Sequence, residues 1–193
     1  MRSGNFTFII KTSTLYGILA AVFSLVGLSL SSTTLVGNPL EVSGISIEHI
    51  IGHIAWGLII GLVTFRLKYF LIAGIFPIIL DSDHLIQFLG IEVVPRMAHS
   101  VSFGLIAILV MMMIFGKRDY LLGVISFAAV LSHISFDIII SGTTTFPLFA
   151  PFTTEVTTFQ GLDWVWIQIG AVILVGISVL ISRRKKIKKE FRI

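Results

Sequence analysis

The sequence predicts an all-α fold, a polytopic membrane bundle of about six transmembrane helices with both termini in the cytoplasm. Three observations predict it. Of 193 residues, 55% are hydrophobic and only 12% charged, where a soluble domain carries about a quarter charged residues. The mean hydropathy is correspondingly high, +1.01. The apolar residues fall into six stretches, and each must be helical, because backbone polar groups inside a bilayer have to be satisfied within their own segment. The basic residues, finally, are distributed as six crossings would require.

Taken in order, the first stretch runs from about Ser13 to Leu35. It is longer than a signal-peptide core of roughly 7–15 residues and is read as a retained first helix. The next five run approximately from Ile47 to Phe65, Tyr69 to Leu89, Ser100 to Phe115, Tyr120 to Ile140 and Trp164 to Ile181. The fourth is short against the roughly 20 residues a span needs. No repeat or low-complexity segment interrupts the chain, so residues 1–193 read as a single integral membrane domain.

Arg2 and Lys11 precede the first helix. Arg66 and Lys68 join the second to the third, Lys117 and Arg118 join the fourth to the fifth, and a cluster follows the sixth. With six spans all of these share one side and Arg96 alone falls on the other, which places both termini in the cytoplasm. The net charge of +4 comes mainly from the tail 183–193, with its run Arg183-Arg184-Lys185-Lys186-Ile187-Lys188-Lys189. That run reads as a topology and lipid-headgroup signal, so membrane lipids and no nucleic acid are the expected partners. Cysteine is absent, which excludes disulfides, thiolate ligands and thiol nucleophiles.

The outer connections are then Gly37–Ser46, Gly90–Ala98 and Ser141–Asp163. The last is long beside the roughly 2–8 residues usual between neighbouring helices. Rich in threonine, phenylalanine and proline, it is read as a folded cap or re-entrant segment over the outer mouth, or else as a loop anchoring aromatics at the headgroups.

Inside this apolar chain stands Asp81-Ser82-Asp83-His84, two acids and a histidine where ionisable groups are costly and therefore functional candidates. The other histidines occupy similar places: His49 and His53, His99, and His133 with Asp137. All five histidines of the chain are in this set. At 1.5 Å per residue, Asp81 lies about 18 Å from Tyr69, and His133 and Asp137 lie about 20 and 26 Å from Tyr120. His49 and His99 open their helices at the outer face. Helices two to five alternate in direction, yet all place these residues in the outer half of the bilayer. His49 and His53, like His133 and Asp137, are four apart and share a helix face, as do Asp81 and His84 at a spacing of three. Asp83 points elsewhere on a regular helix, and with Pro77 earlier in the same stretch its direction stays open.

Imidazole and carboxylate donors without sulfur suit zinc best, and manganese, iron or nickel less specifically. The donors suffice for more than one site. A membrane histidine taken singly more often packs or hydrogen-bonds between helices, and acids with a histidine also build proton relays. There is no HExxH motif, since His49-Ile50-Ile51-Gly52-His53 lacks the glutamate, and no P-loop or GxGxxG. The run Met111-Met112-Met113 reads as lipid-facing or core packing.

The order of these elements resembles the membrane-bound metal-dependent hydrolase family, the YdjM-like group described as LexA-regulated in some bacteria. That pattern runs from a histidine early in a helix through P-D-x-D-H, R-x-x-T-H-S and H-x-x-x-D to a glycine and a Pro-Phe-rich stretch. The matching residues are His49 or His53 with Gly57, Leu80-Asp81-Ser82-Asp83-His84, Arg96-Met97-Ala98-His99-Ser100, His133-Ile134-Ser135-Phe136-Asp137, Gly142 and Pro151-Phe152. The match covers about residues 47–152. Leu80 stands in place of the proline, Ala98 in place of the threonine, and the arginine is one residue closer to its histidine.

The resemblance implies a divalent-metal hydrolase, and the distribution of basic residues and the common depth of the histidines put it in the plasma membrane with its site facing the extracytoplasmic side. His49, His53, Asp81, His84, His133 and Asp137 are then the expected metal ligands, with His99 as ligand or general acid/base. Asp83 is the expected base that positions a water, and Arg96 and Ser100 the contacts to an anionic substrate group. The H-x-x-x-D element is also similar to that of zinc-dependent phospholipase C enzymes. A lipid or lipid-linked phosphoester or ester is therefore the expected substrate. A divalent-cation or proton transporter or channel, and a structural metal site in a membrane scaffold, are the alternatives. The scarcity of polar residues in the inner half, Thr64 and Ser126 among them, favours a one-sided site.

Overall fold

The computed structural model describes residues 3–30, 46–82, 84, 96–116 and 119–190. Within them lie α1 (Ser3–Leu25) with a 3₁₀ turn at Val26–Ser29, α2 (Ile47–Leu62), α3 (Leu67–Leu80), α4 (Val101–Phe115), α5 (Tyr120–Ser141), the short strands β1 (Thr143–Phe146) and β2 (Thr157–Gln160), and α6 (Asp163–Glu190). The helices follow the apolar stretches, with three informative differences. α1 begins at Ser3 rather than Ser13, because Lys11 sits on an exposed face and does not interrupt the backbone ladder. α6 continues beyond Ile181 to Glu190, since arginine and lysine are good helix formers and no glycine or proline stops it. α3 ends at Leu80, and residues 85–89 of the expected stretch lie outside the described residues. The Asp81 N–H turns to the Ile78 and Ile79 carbonyls, and Asp81, Ser82 and His84 continue in 3₁₀ conformation.

Three helices are long and apolar enough to cross a membrane, Gly4–Leu25, Tyr120–Ser141 and Asp163–Arg184. At about 1.5 Å per residue each exceeds the roughly 30 Å of a hydrocarbon core. α2, α3 and α4 are apolar but shorter, with 16, 14 and 15 residues. They are short at the ends that carry the histidines and aspartates. Large apolar side chains of α1, α4 and α6, such as Ile18, Leu109 and Ile173, face outward, and the methionine run divides between buried Met111 and exposed Met113.

Contacts at one end of the bundle gather the polar turns. Lys68 Nζ lies 4.4 Å from the Phe8 ring and 4.3 Å from the Tyr69 ring. The Tyr69 hydroxyl donates to Asp119, whose carboxylate also accepts from Leu122 N–H and so caps α5. Arg183 lies over Phe65 at 5.7 Å. The start of α1, the α2–α3 turn, the start of α5 and the basic end of α6 therefore share one end, and the histidines lie at the other.

α5 is the central helix, buried along most of its length. Tyr16 of α1 donates its hydroxyl to the Ser126 carbonyl at 2.9 Å and stacks on Phe76 of α3 at 4.2 Å. α2 and α3 approach most closely at Gly57 and Gly61, spaced as G-x-x-x-G. A methyl group at Gly57 would meet the Ala73 carbonyl, and one at Gly61 would sit 2.7 Å from Phe70 Cα. Small residues allow such backbone approach where lipid supplies no hydrophobic drive to association.

The segment between α5 and α6 is neither a re-entrant helix nor an unstructured loop. Gly142, at φ +71°, ends α5, and β1 pairs antiparallel with β2, Thr143 opposite Gln160 and Phe146 opposite Thr157. Both strands are built from β-branched threonine and phenylalanine, which suit a pleated edge. The Leu148 carbonyl accepts the Val101 N–H at 2.9 Å, pinning this cap to the start of α4.

Gly57→Ala is expected to force α2 and α3 apart and destabilise the protein by about 1–3 kcal/mol. Thermal unfolding in detergent, followed by circular dichroism, should show a lowered midpoint, whereas Gly170→Ala, where a methyl group meets open space, should leave it unchanged.

Candidate metal centre

Four helices bring their polar residues to one place. α2 contributes His49 and His53 from its first two turns, and the turn after α3 contributes Asp81 and His84. His99 comes from the residues just before α4, and His133 and Asp137 come from α5. The pairing of N-terminal and C-terminal helix ends is what alternating helix direction requires.

His49 and His53 Nε2 lie 2.9 Å apart, and His99 and His133 Nε2 lie 2.8 Å apart. His53 Nε2 is 3.2 Å from Asp137 Oδ1. His133 Nε2 is 3.3 Å from Asp81 Oδ1 and 3.5 Å from Asp137 Oδ2. His84 and His99 Nε2 are 3.6 and 3.7 Å from Asp81 Oδ1, and His49 Nε2 is 3.7 Å from Asp81 Oδ2. Two donors bound tetrahedrally at about 2.0–2.1 Å stand about 3.3 Å apart, a value the imidazole–carboxylate separations approach, while the two short His–His contacts are hydrogen bonds. Triads drawn from these seven residues have the mutual spacing of metal ligands. His53, His84, His99, His133 and Asp137 are buried, while His49 and Asp81 are partly open.

The backbone supports this chemistry. His133 Nδ1 donates to the Pro77 carbonyl at 2.7 Å. The Asp81 N–H has turned to Ile78 and Ile79, so the last turn of α3 serves the histidine of α5. A proton fixed on Nδ1 leaves the Nε2 lone pair facing the cluster, the usual outer support of a metal-binding histidine. His53 departs from that pattern: its Nδ1 is buried and makes no hydrogen bond.

Arg96 stands at the rim. Its φ of +56° is a left-handed backbone conformation for a residue with a side chain, a strain of order 1–3 kcal/mol that surrounding contacts must hold. Nη1 donates to Thr144 Oγ1 at 2.9 Å and lies 3.8 Å from Asp137 Oδ2, and the guanidinium covers the Phe146 ring at 5.4 Å. Phe146 also stacks on His99, 5.8 Å between centroids and 10° between planes. The hairpin thus forms a shelf beneath both residues. Ser100 lies beside them, but its hydroxyl accepts the Phe103 N–H at 3.1 Å as the cap of α4, and the residue is fully buried. Asp83 lies outside the described residues.

Thr144, Phe146 and the Pro77 carbonyl are parts of the centre that sequence reasoning missed. So is Phe136, whose ring contacts His53 at 4.8 Å and fills the space over Gly52. The threonine tracts at 143–145 and 157–158 were a readable strand signal; nothing local marks a carbonyl or a ring as support for a histidine 56 or 47 residues away. No protein-family model matches the chain, and no curated protein or solved structure does.

Phe146→Ala should remove the shelf under His99 and lower zinc affinity by about 10-fold, the low end of what loss of a ligand's supporting group produces. Competition against a chromophoric chelator measures this, and an unchanged affinity would show that the ring has no part in the centre.

Proposed function

We propose that the protein is an integral membrane, metal-dependent hydrolase that acts on a lipid or lipid-linked phosphoester or ester. The observation that carries this reading is the convergence of five imidazoles and two carboxylates from four helices beside a partly exposed arginine. The motif resemblance to membrane-bound hydrolases supports the same reading, and zinc fits the donor set best.

A divalent cation held there supplies Lewis-acid polarisation of a phosphoryl or acyl oxygen and activation of water near neutral pH. His53, His84, His133, Asp81, Asp137 and His49 would hold one or more such ions. Arg96, kept upright by Thr144 and Phe146, receives the anionic group of the substrate and aligns it with the cluster. His99 is a further ligand or moves a proton to the leaving group, and Asp83 orients the attacking water. The rim formed by His49, Asp81 and Arg96 admits substrate, while the buried histidines behind it exclude bulk water.

In the bilayer we place six crossings with both termini in the cytoplasm of a plasma-membrane protein. Arg66, Lys68 and Arg183 then lie at the inner surface as the positive-inside rule demands, and the metal centre opens toward the outer leaflet. The short α2, α3 and α4 then carry their histidine-bearing ends within the outer half of the bilayer, packed against α5 rather than lipid.

Asp81→Ala and His133→Ala should each lose bound zinc and lower turnover of a lipid phosphoester by about 10²-fold or more. Arg96→Ala should keep the metal and raise KM. Elemental analysis and a phosphate- or fatty-acid-release assay on the same purified samples decide the matter. Full activity in either ligand variant, or zinc-dependent ion flux in liposomes without hydrolysis, overturns the reading.

A further inference from the structure

We infer that the centre holds two cations, bridged by Asp81 and Asp137. This rests on the metal-dependent reading above and specifies its site.

The first observation is the way each carboxylate is shared. Asp81 turns Oδ2 toward His49, at 3.7 Å, and Oδ1 toward His84, His99 and His133, at 3.6, 3.7 and 3.3 Å. Asp137 turns Oδ1 toward His53, at 3.2 Å, and Oδ2 toward His133, at 3.5 Å. Both carboxylates therefore divide their oxygens between the same two groups of histidines. One group is His49 and His53 with Asp81 Oδ2 and Asp137 Oδ1. The other is His84, His99 and His133 with Asp81 Oδ1 and Asp137 Oδ2. Within the groups, the His49–His53 and His99–His133 nitrogens are 2.9 and 2.8 Å apart.

The second observation separates the groups. The rings of His53 and His133 stack, with centroids 3.9 Å apart and planes within 9°. A histidine nitrogen offers its lone pair in the plane of its ring. Two stacked, parallel rings have no common in-plane point, so the His53–Asp81–His133 triad, although its donor atoms lie at ligand spacing, needs one ring to turn before it holds a single ion, whereas the other triads do not pair these two rings. Four donors on one side and five on the other also exceed what a single tetrahedral zinc accepts. Two cations oppose the two carboxylates and hold both faces of a phosphoester, which makes phosphate transfer to water the favoured chemistry over ester cleavage.

Arg96 bears on the second group, since its Nη1 is 3.8 Å from Asp137 Oδ2. The arginine and the ion on that side therefore grip the same end of the site, and the anionic part of the substrate lies across the shared carboxylates.

The test counts zinc per chain by elemental analysis after resupply and gel filtration of the full-length protein in detergent. The chain has no cysteine, and its five histidines all belong to the cluster, so few other strong zinc sites exist. Wild type should hold two ions. The His49→Ala/His53→Ala double variant and the His99→Ala variant should each hold about one. The wild-type count stands where a variant fails to fold. Manganese-loaded wild type gives a second readout, since a coupled pair produces a multiline electron paramagnetic resonance signal distinct from that of isolated ions. One zinc per chain with hydrolysis overturns the two-ion centre and leaves the hydrolase reading in place. Two zinc ions without turnover of any phosphoester does the reverse. A second ion that survives every variant is adventitious and overturns the inference.

Discussion

The structure depends on keeping two carboxylates, Asp81 and Asp137, out of water. An ionised carboxylate moved into a protein interior costs several kcal/mol unless it is paired and hydrogen-bonded. In this chain the partners are five imidazoles, delivered from four helices to within 3.2–3.7 Å of the carboxylate oxygens. Imidazoles alone are a poor answer, because neutral rings bring as many lone pairs as protons. The Pro77 carbonyl takes the His133 Nδ1 proton and leaves that ring's Nε2 lone pair facing the cluster, whose residues could hold a metal ion; binding of one would then add to folding stability.

The shape of the bundle follows from that requirement. A helix that crossed the bilayer fully would place its polar end at the headgroups. α2, α3 and α4 are too short for this, and their histidine-bearing ends fall alongside the interior of the longer α5. The close α2–α3 contact through Gly57 and Gly61 fixes the relative position of His53 and Asp81. The hairpin closes the opening left above α4. Its Phe146 supports His99 from below, and its Thr144 holds Arg96 in a backbone conformation it would not adopt alone. Rigid seats of this kind hold ligands to the narrow tolerance a metal demands.

How far the sequence disclosed this depends on the range of the interaction. His49 with His53 and His133 with Asp137 were legible because helical periodicity alone puts residues four apart on one face. Their common depth was legible because helices of alternating direction rarely align scattered polar residues. The ends of α1 and α3 were not, since Lys11 does not break a helix and the turn of the Asp81 amide toward Ile78 and Ile79 carries no residue code. The length and composition of the α5–α6 connection allowed a folded cap, but not its form as a hairpin, since four-residue strands carry little periodicity to separate them from any threonine-rich loop. Support from Pro77 and Phe146 is tertiary, made by a carbonyl and a ring that composition cannot single out. Ser100 carries a second duty that its place beside His99 did not disclose: its hydroxyl oxygen accepts the Phe103 N–H and caps α4.

The same geometry bears on whether the centre works from one side or along a path. Below His133, the side chains that α5 buries are Val130, Ala129, Ala128, Ile125 and Leu122, with hydroxyls at Ser132 and Ser126. Ser126 gives its proton to the Leu122 carbonyl of its own helix, and its own carbonyl takes the Tyr16 hydroxyl. Among the described residues no further histidine or carboxylate continues from the cluster toward Asp119 at the basic end. A cation leaving the centre in that direction would exchange oxygen and nitrogen donors for aliphatic carbon, at the full cost of desolvation. Toward the rim, by contrast, His49, Asp81 and Arg96 remain partly exposed. Among the described residues the cluster is thus bounded along α5 by aliphatic packing and flanked at its rim by a guanidinium, an arrangement that suits a one-sided site better than a path through the bundle.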